Sequence, residues 1–396
     1  MADLVSKNTV LYVTKEVTEG VAVNPTAGDQ AVSFLTDSVE IAGNRETVER
    51  DNNQTSLVRE LPRLGIRTCE ASITTEVKAN TTAGGLPECN LLLEAALGAV
   101  RSQSNTTTIS ATQTNTTSIK VPTGSTFVAG DIIMIKETNL GADGYHISPI
   151  SAVADGGTND DTLTLLVPTS TNYATTNSVI EKSTTFFDSN TEPSVTLTVY
   201  GEDAVKMQGA GCKVSSLSLD GFETAAIPSF AFALAGIDYD ESLAASGLTA
   251  TFDGATPPIV LSACVYKDGV KMDVTQFAFS VENTVSQRRS TCSVNGITGQ
   301  RVTEKAITGS FTAYMDTTSV AQFTNFDAGT EFSLFMTLKN PGSSSGIWKE
   351  VIGVYMPRCM ATAAPHTSVD GLMAYNVEFS AGKSSSFGAS IYIGFI

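Results

Sequence analysis

Histidine is nearly absent from this chain: His146 and His366 are the only two in 396 residues. Neither has Cys, Asp or Glu at ligand spacing, so no metal site is expected. The six cysteines, Cys69, Cys89, Cys212, Cys264, Cys292 and Cys359, include no C-x-x-C pair. That speaks against zinc ribbons and thioredoxin-like motifs and predicts reduced, mostly buried thiols. G-x-S-x-G elbows, P-loops and dinucleotide fingerprints are missing too. Asp160-Asp161 and Asp238-Tyr239-Asp240-Glu241 are acidic pairs of the kind a glycosidase uses, but adjacent carboxylates in turns are usually solvated. The reading is therefore a non-enzyme, with no catalytic, cofactor-binding or metal residue. Trp348, the single tryptophan, is expected to bury an edge of the second half.

Basic residues are also scarce, 24 Lys and Arg against 41 Asp and Glu, for a net charge of −17. Nucleic-acid binders gain affinity by neutralising phosphates, so nonspecific binding to nucleic acid is not expected. No run of about 18 apolar residues occurs, so no membrane-spanning helix is predicted. Met1 to Lys7 opens no apolar stretch of signal-peptide length, and the chain reads as cytosolic at synthesis.

Threonine, serine, alanine and glycine are plentiful, and β-branched residues recur in short runs between polar turns. With only 16% charged residues, this is the profile of an all-β protein. Residues 1–30 read as a strand, Thr9 to Val13, followed by an extended arm with turn signals at Asn24-Pro25 and Gly28-Asp29. Glu70 to Ala79 alternates with period two, as do Val195, Leu197 and Val199. One helix is predicted, in L-P-E-C-N-L-L-L-E-A-A-L-G-A, with Pro87 in its first turn, Glu88 at the positive end of the dipole and Gly98 as its stop. Its apolar stripe should lie on a sheet. A counterpart is expected over Val320 to Ala328, with Phe323 and Phe326 turned inward.

Self-similarity at a long spacing organises these elements. Thr47-Val48 matches Thr284-Val285 at an offset of 237, and Ser72-Ile73-Thr74 matches Ser310-Phe311-Thr312 at 238. Cys212, Phe230 and Phe232 match Cys359, Val377 and Phe379 at an offset of only 147. The drop implies an insertion of roughly 90 residues in the first copy, between Ser72 and Cys212. The Thr/Ser/Asn-rich stretch 101–183 has that texture. Its apolar runs, including Ile132 to Ile135 and Leu163 to Leu166, supply a core for a small separate β-domain. The expected organisation is 1–30 as strand and arm, 31–100 plus 184–245 as a first unit, 101–183 as the insert and 246–396 as a second unit.

Gly43 to Arg67 lacks periodicity and mixes charges of both signs. It reads as a long loop, either solvated or reaching a neighbouring subunit. The candidate contact residues are Arg45, Glu49, Arg50, Asp51, Arg59, Glu60, Arg63 and Arg67.

The segments N-R-E-T-V-E-R-D, L-G-I-R-T-C-E-A-S-I-T-T-E-V and T-A-G-G-L-P-E-C-N-L-L-L-E-A-A-L-G-A, in this order, resemble the tail tube proteins of long-tailed, non-contractile bacteriophages. In the second half, N-T-V-S-Q-R-R, A-I-T-G-S-F-T-A and D-G-L-M-A-Y-N-V-E-F carry the same resemblance. It covers most of residues 31–100 and 190–382 and implies a tube β-barrel or sandwich with a flanking helix, here duplicated and carrying an insert. The same resemblance implies rings of six such units, hence a trimer with pseudo-sixfold symmetry. Rings would stack through the arm and the charged segment around an acidic lumen that conducts DNA without specific binding. By the same resemblance the partners are further copies, a tape measure protein, a tube terminator and distal tail proteins. The site of action is the virion tail, assembled in the host bacterial cytoplasm. Two other classes stay open: a glycan-binding or capsid-decorating β-protein and a sandwich glycoside hydrolase. A tube terminator is a variant within the family.

Overall fold

The computed structural model describes residues 6–50, 58, 60–103, 105–137, 144–261, 263–315, 326–341 and 348–396. The first part of the chain forms β1 (Thr9–Lys15), β2 (Ala31–Val32), β3 (Glu40–Val48), β4 (Arg63–Glu76), α1 (Asn90–Leu97) and β5 (Gly98–Gln103). Then come the short strands β6 (Thr107–Thr108), β7 (Ser118–Val121), β8 (Ile132–Glu137), β9 (Tyr145–Ala154), β10 (Asp161–Leu165) and β11 (Ser178–Ile180). The chain returns through β12 (Ser183–Asp188), β13 (Val195–Gly201), β14 (Val205–Asp220), β15 (Ser229–Gly236) and β16 (Asp238–Leu243). It ends with β17 (Cys264–Lys267), β18 (Val270–Met272), β19 (Val274–Arg289), β20 (Ile297–Tyr314), β21 (Glu331–Pro341), β22 (Trp348–Ala363), β23 (His366–Val369), β24 (Leu372–Ala381) and β25 (Tyr392–Phe395). The fold is all-β with a minor helical part.

Eight strands lie side by side, all antiparallel, in the order β3, β4, β15, β14, β19, β20, β24, β22. The second four repeat the first four. Ser72 pairs with Ala233 as Ser310 pairs with Glu378. The bulge between Val214 and Ser216 on β14 returns between Ala361 and Ala363 on β22. A second, shorter sheet recurs in each half, as β1, β13, β14, β16 and then as β17, β21, β22, β25. The bulge between Val195 and Leu197 returns between Phe332 and Leu334. A bulge bends its strand and re-aims the residues beyond it, which lets β14 and β22 each serve both sheets.

Register refines the offsets. Thr47 opposes Leu64 and Val285 opposes Val302, so the first pair of strands repeats at 238 throughout, and Thr47 corresponds to Val285 rather than Thr284. Phe232 opposes Ile73 as Val377 opposes Phe311, so Phe232 corresponds to Val377 and Leu234 to Phe379. The Cys212 to Cys359 match stands at 147, since Cys212 opposes Val195 as Cys359 opposes Phe332. A slip of two keeps every side chain on its face and is invisible to pattern matching, whereas a slip of one reverses the faces.

One apolar core runs between the two layers through both halves, with Phe230, Phe232, Phe277, Phe279, Phe311 and Phe379 at its centre. Phe277 and Phe379, from different strands of the second half, stack at 6.3 Å between ring centroids. Helix α1 adds Leu92, Leu93, Ala95 and Ala96. Gly98 ends the helix at φ +108°, a conformation that favours glycine. The helix begins at Asn90, so Pro87 lies ahead of it rather than in its first turn, as does Glu88. The Glu88 carboxylate accepts the Ser33 and Asp253 amide hydrogens and pairs with Lys78 at 3.1 Å.

Strands β6 to β11 form a separate six-stranded sheet with its own core of Ile109, Ile119, Ile133, Ile150, Leu163 and Tyr173. Its stalk strands β5 and β12 join the far half of the chain, because β12 pairs with β25. Ile132, Met134, Tyr145, Ile147 and Val167 then pack on Phe335, Tyr355 and Tyr392 of the second half. Gly353 and Gly394 make room for Ile132: a methyl group built on either would meet its side chain at 2.9 Å or 2.7 Å.

The N-terminal arm is held by its own chain. The buried Glu16 carboxylate accepts hydrogen bonds from Gly20 N at 2.9 Å, Thr196 Oγ1 at 2.8 Å and Gly211 N at 2.7 Å. Asn24 accepts from Lys206 and Gln208, and Glu19 accepts from the Gln300 amide. Gly43 to Arg67 is likewise no simple loop, since its two ends are the strands β3 and β4 of a hairpin. Most of the hairpin lies beyond the core with both faces solvated, so no period-two pattern marks it in the sequence. Of the segment expected to be helical, Val320 to Asn325 lie outside the described residues, and Phe326 packs partly buried against the core.

Candidate assembly surfaces

The join between the two halves is a strand pairing: Ser216, Leu217, Ser218 and Leu219 of β14 oppose Glu282, Val281, Ser280 and Phe279 of β19. Side chains reinforce it. Buried Asn283 donates from Nδ2 to the carbonyls of Ala96 at 2.9 Å and Val214 at 3.0 Å. Opposite it on β20, Lys305 donates to the carbonyls of Leu97 at 2.6 Å and Ser189 at 2.8 Å and pairs with Glu192 at 2.7 Å. Two of these acceptors, Ala96 and Leu97, are carbonyls at the helix C-terminus, where the dipole favours a cation.

The two ends of the eight-strand array are open. Among the described residues β3 pairs only with β4, and it is exposed along nearly its whole length. At the other end, among the described residues, β22 beyond Met360 and all of β23 pair only with β24. An unpaired edge presents a row of N–H and C=O groups to any matching strand. The ends are complementary, because β3 holds the place of β19, and β22 with β23 holds that of β14. His366 opposes Tyr375 as Leu219 opposes Phe230.

Away from the core, the array is acidic or small. One cross-strand row reads Glu40, Ser72, Ala233, Ser216, Glu282, Ala306, and the next Thr74, Ala231, Ser218, Ser280, Thr308, Ser380, Met360. Glu76, Ser229 and Asp220 line up beyond them, as do Ser310, Glu378 and Ala363. Lysine and arginine do not occur in these rows. At the rim, Lys213 is buried on the Glu192 carbonyl and Arg358 pairs with Glu331 at 2.5 Å.

Two hairpins project from one end. Ile66 of the β3–β4 hairpin lies over Gly296 in the turn of the β19–β20 hairpin, where a methyl group built on the glycine would meet its side chain at 2.8 Å. Arg289 and Glu46 approach to 3.9 Å. Val48, Val58, Leu61, Leu64 and Val294 are exposed here.

A family model described as phage tail tube protein matches residues 6–381. The chain belongs to the phage tail tube protein family. Membership implies self-assembly into a tube and a place in the virion tail, a structural role and not an enzyme class. No curated protein matches the chain. Among the described residues, no helix is long and apolar enough to cross a membrane, and no three His, Cys, Asp or Glu side chains gather around a common centre.

The residues singled out in the sequence separate on this tail tube framework. Arg45, Arg63 and Arg67 lie on the hairpin strands, with Glu49 just beyond β3. Arg50 pairs with Glu60, and Arg67 with Asp238 at 2.5 Å. Asp51 and Arg59, like the Trp348 side chain, lie outside the described residues. Asp238 to Glu241 form most of the edge strand β16, and Asp161 holds a turn by accepting from Ser125. His146 is half-buried in the inserted sheet, with Nε2 at 2.9 Å from the Val167 carbonyl oxygen, and its removal from water holds its pKa below the ordinary value. Asn283, Lys305 and Glu192 belong to no sequence motif. The one signal for the first two is position, since Asn283 and Lys305 stand 238 residues after Arg45 and Arg67.

Proposed function

We propose that the chain is the repeating subunit of a non-contractile, siphophage-type tail tube, with three chains per ring. What carries this reading is the pair of complementary open edges on a sheet whose own midpoint already contains the same junction, closed. In the ring, β22 and β23 of one chain lie beside β3 of the next. The internal register, transferred by position, sets Ala363 opposite Asn44, Ala364 opposite Gly43, Pro365 opposite Ala42 and His366 opposite Ile41. Closing the sheet removes both exposed edges at once. Each chain then counts twice, and a trimer has pseudo-sixfold symmetry. Three eight-strand arrays give roughly 24 strands, which close on a circle roughly 50 Å across between opposite backbones.

The acidic and small-residue face lines the lumen in this arrangement. It gives DNA no cations to bind, and repulsion reaches only about 8 Å at physiological salt, so passage is unspecific and unhindered. The projecting hairpins, with Arg45, Glu49, Arg50, Glu60, Arg63 and Arg67 and their exposed apolar tips, meet the neighbouring ring or subunit. The four-part organisation into arm, first tube unit, insert and second tube unit belongs to the same proposal. By family resemblance the tube encloses a tape measure protein, ends on a terminator and distal tail proteins, and assembles in the host cytoplasm before delivering the genome. Electron cryo-microscopy of tubes formed by the purified protein tests the proposal. Three chains per ring are expected. Six chains per ring, or a lumen lined by Lys and Arg, would overturn it.

A further inference from the structure

Arg45 and Arg67 face each other across β3 and β4, as Asn283 and Lys305 face each other across β19 and β20. Both pairs point to the core side of the sheet and stand at the same position in their halves. Their surroundings differ. Asn283 and Lys305 reach over the internal junction to four carbonyls and a carboxylate of the other half. Arg45 and Arg67 are two like charges directly opposed, an arrangement that is unfavourable without an acceptor. Arg67 has the partly exposed Asp238, and Arg45 forms no ion pair with a described residue.

We infer that Arg45 and Arg67 form a clasp onto the next chain of the ring, equivalent to the internal clasp of Asn283 and Lys305. The inference rests on the ring proposed above and names the residues that hold its open junction. The acceptors are set by position. Val214 corresponds to Ala361 through the shared bulge, which assigns the neighbour's Ala361 carbonyl to Arg45. Ser189 corresponds to Phe326 and Glu192 to Gly329, counting back from the matched Val195 and Phe332. Arg67 therefore meets the Phe326 carbonyl, sharing it with the Gly329 amide that donates to it at 3.0 Å. Because glycine replaces Glu192, the exposed Asp327 nearby supplies the carboxylate. A guanidinium suits this open site, because it stays charged and its planar fork can reach carbonyl and carboxylate together.

The test uses the full chain, with Arg45→Glu, Arg67→Glu, the conservative Arg67→Lys and the swap Arg67→Glu with Asp327→Arg. Tube formation is followed by sedimentation, and monomer folding by circular dichroism. Each glutamate variant is expected to stay folded and raise the concentration needed for assembly about tenfold or more. Arg67→Lys should recover most of the loss and the charge swap part of it. A disulfide between Ala42→Cys of one chain and Pro365→Cys of the next reports edge pairing independently. If that cross-link forms while both glutamate variants assemble at the wild-type concentration, the clasp is wrong and the ring stands. If no cross-link and no tubes form with native arginines, the ring itself fails.

Discussion

Over Ser216 to Leu219 strand β14 is covered by β19, whereas the end of β22 beyond Met360 and β23, in the same place in the second half, have no described strand beyond them. The closed junction uses a neutral amide and a lysine already paired with a buried carboxylate. The open one presents two opposed arginines. A covalently tethered contact forms once, on folding, and can rest on buried groups with fixed partners. An edge that must wait for a second chain has to keep its donors solvated until then. The contrast teaches that one strand geometry serves both folding and assembly, and that the side chains around it decide which.

Cross-linking gives the sharpest all-or-none test of that contrast. Ser218 and Ser280 oppose each other at the internal junction, and Ala42 and Pro365 stand at the corresponding positions of the open one. Directly opposed residues lie close enough for a disulfide with small adjustment. Ser218→Cys with Ser280→Cys should close within one chain, and Ala42→Cys with Pro365→Cys only between chains, giving covalent trimers on a non-reducing gel. A covalent dimer or hexamer as the end product would break the equivalence.

The outer layers differ more than the inner sheets, and the next largest effect lies there. The first half covers its second sheet with the N-terminal arm and the stretch around Leu248 and Ala250. The second half is covered by the inserted sheet, seated through Ile132 over two glycines. Ile132→Ala should destabilise the chain by about 2 to 5 kcal/mol, measured by urea unfolding. A separate early transition of the inserted sheet would show that the insert folds alone and merely docks.

Asn283→Leu comes next. It leaves the Ala96 and Val214 carbonyls without their donor in a buried place, a cost of about 1 to 3 kcal/mol. Its counterpart, Arg45→Leu, should change monomer stability by less than about 0.5 kcal/mol, as expected of an exposed side chain. Equal losses in the two variants would mean that Arg45 is already engaged within its own chain and that the β3 edge is not the open counterpart of the internal junction.

Much of this was legible in the sequence because burial imposes a period. Strand β15 alternates buried and half-buried residues along its whole length, and the all-β class, the single helix and the inserted stretch are read from such patterns. The features that escaped lack a buried face or depend on distance. The β3–β4 hairpin projects into solvent, so its strands read as a charged loop. The repeat was visible through Ser72 and Ser310 and through Cys212 and Cys359. Its register was not, because a two-residue slip aligns Phe232 with Phe379 as plausibly as with Val377. Asn283, Lys305 and Glu192 come from three distant segments and carry no local signature.

The smallest effect expected is on pH dependence, and it separates the insert from the tube units. His146 is half-buried beside the Val167 carbonyl, and its removal from water lowers its pKa below the ordinary value near 6.5. The unfolded chain therefore takes up the proton first as pH falls, and stability is lost below about pH 6.5 down to the lowered folded value. Hydrogen exchange at pH 7.5 and pH 5.5 should show β9 and its neighbours in the inserted sheet losing protection on acidification, with β19 and β20 changing less. His146→Gln should flatten that dependence. If protection falls equally across both sheets in the wild-type chain and the substitution leaves the slope unchanged, acid sensitivity belongs to the carboxylates of the whole molecule and not to the insert.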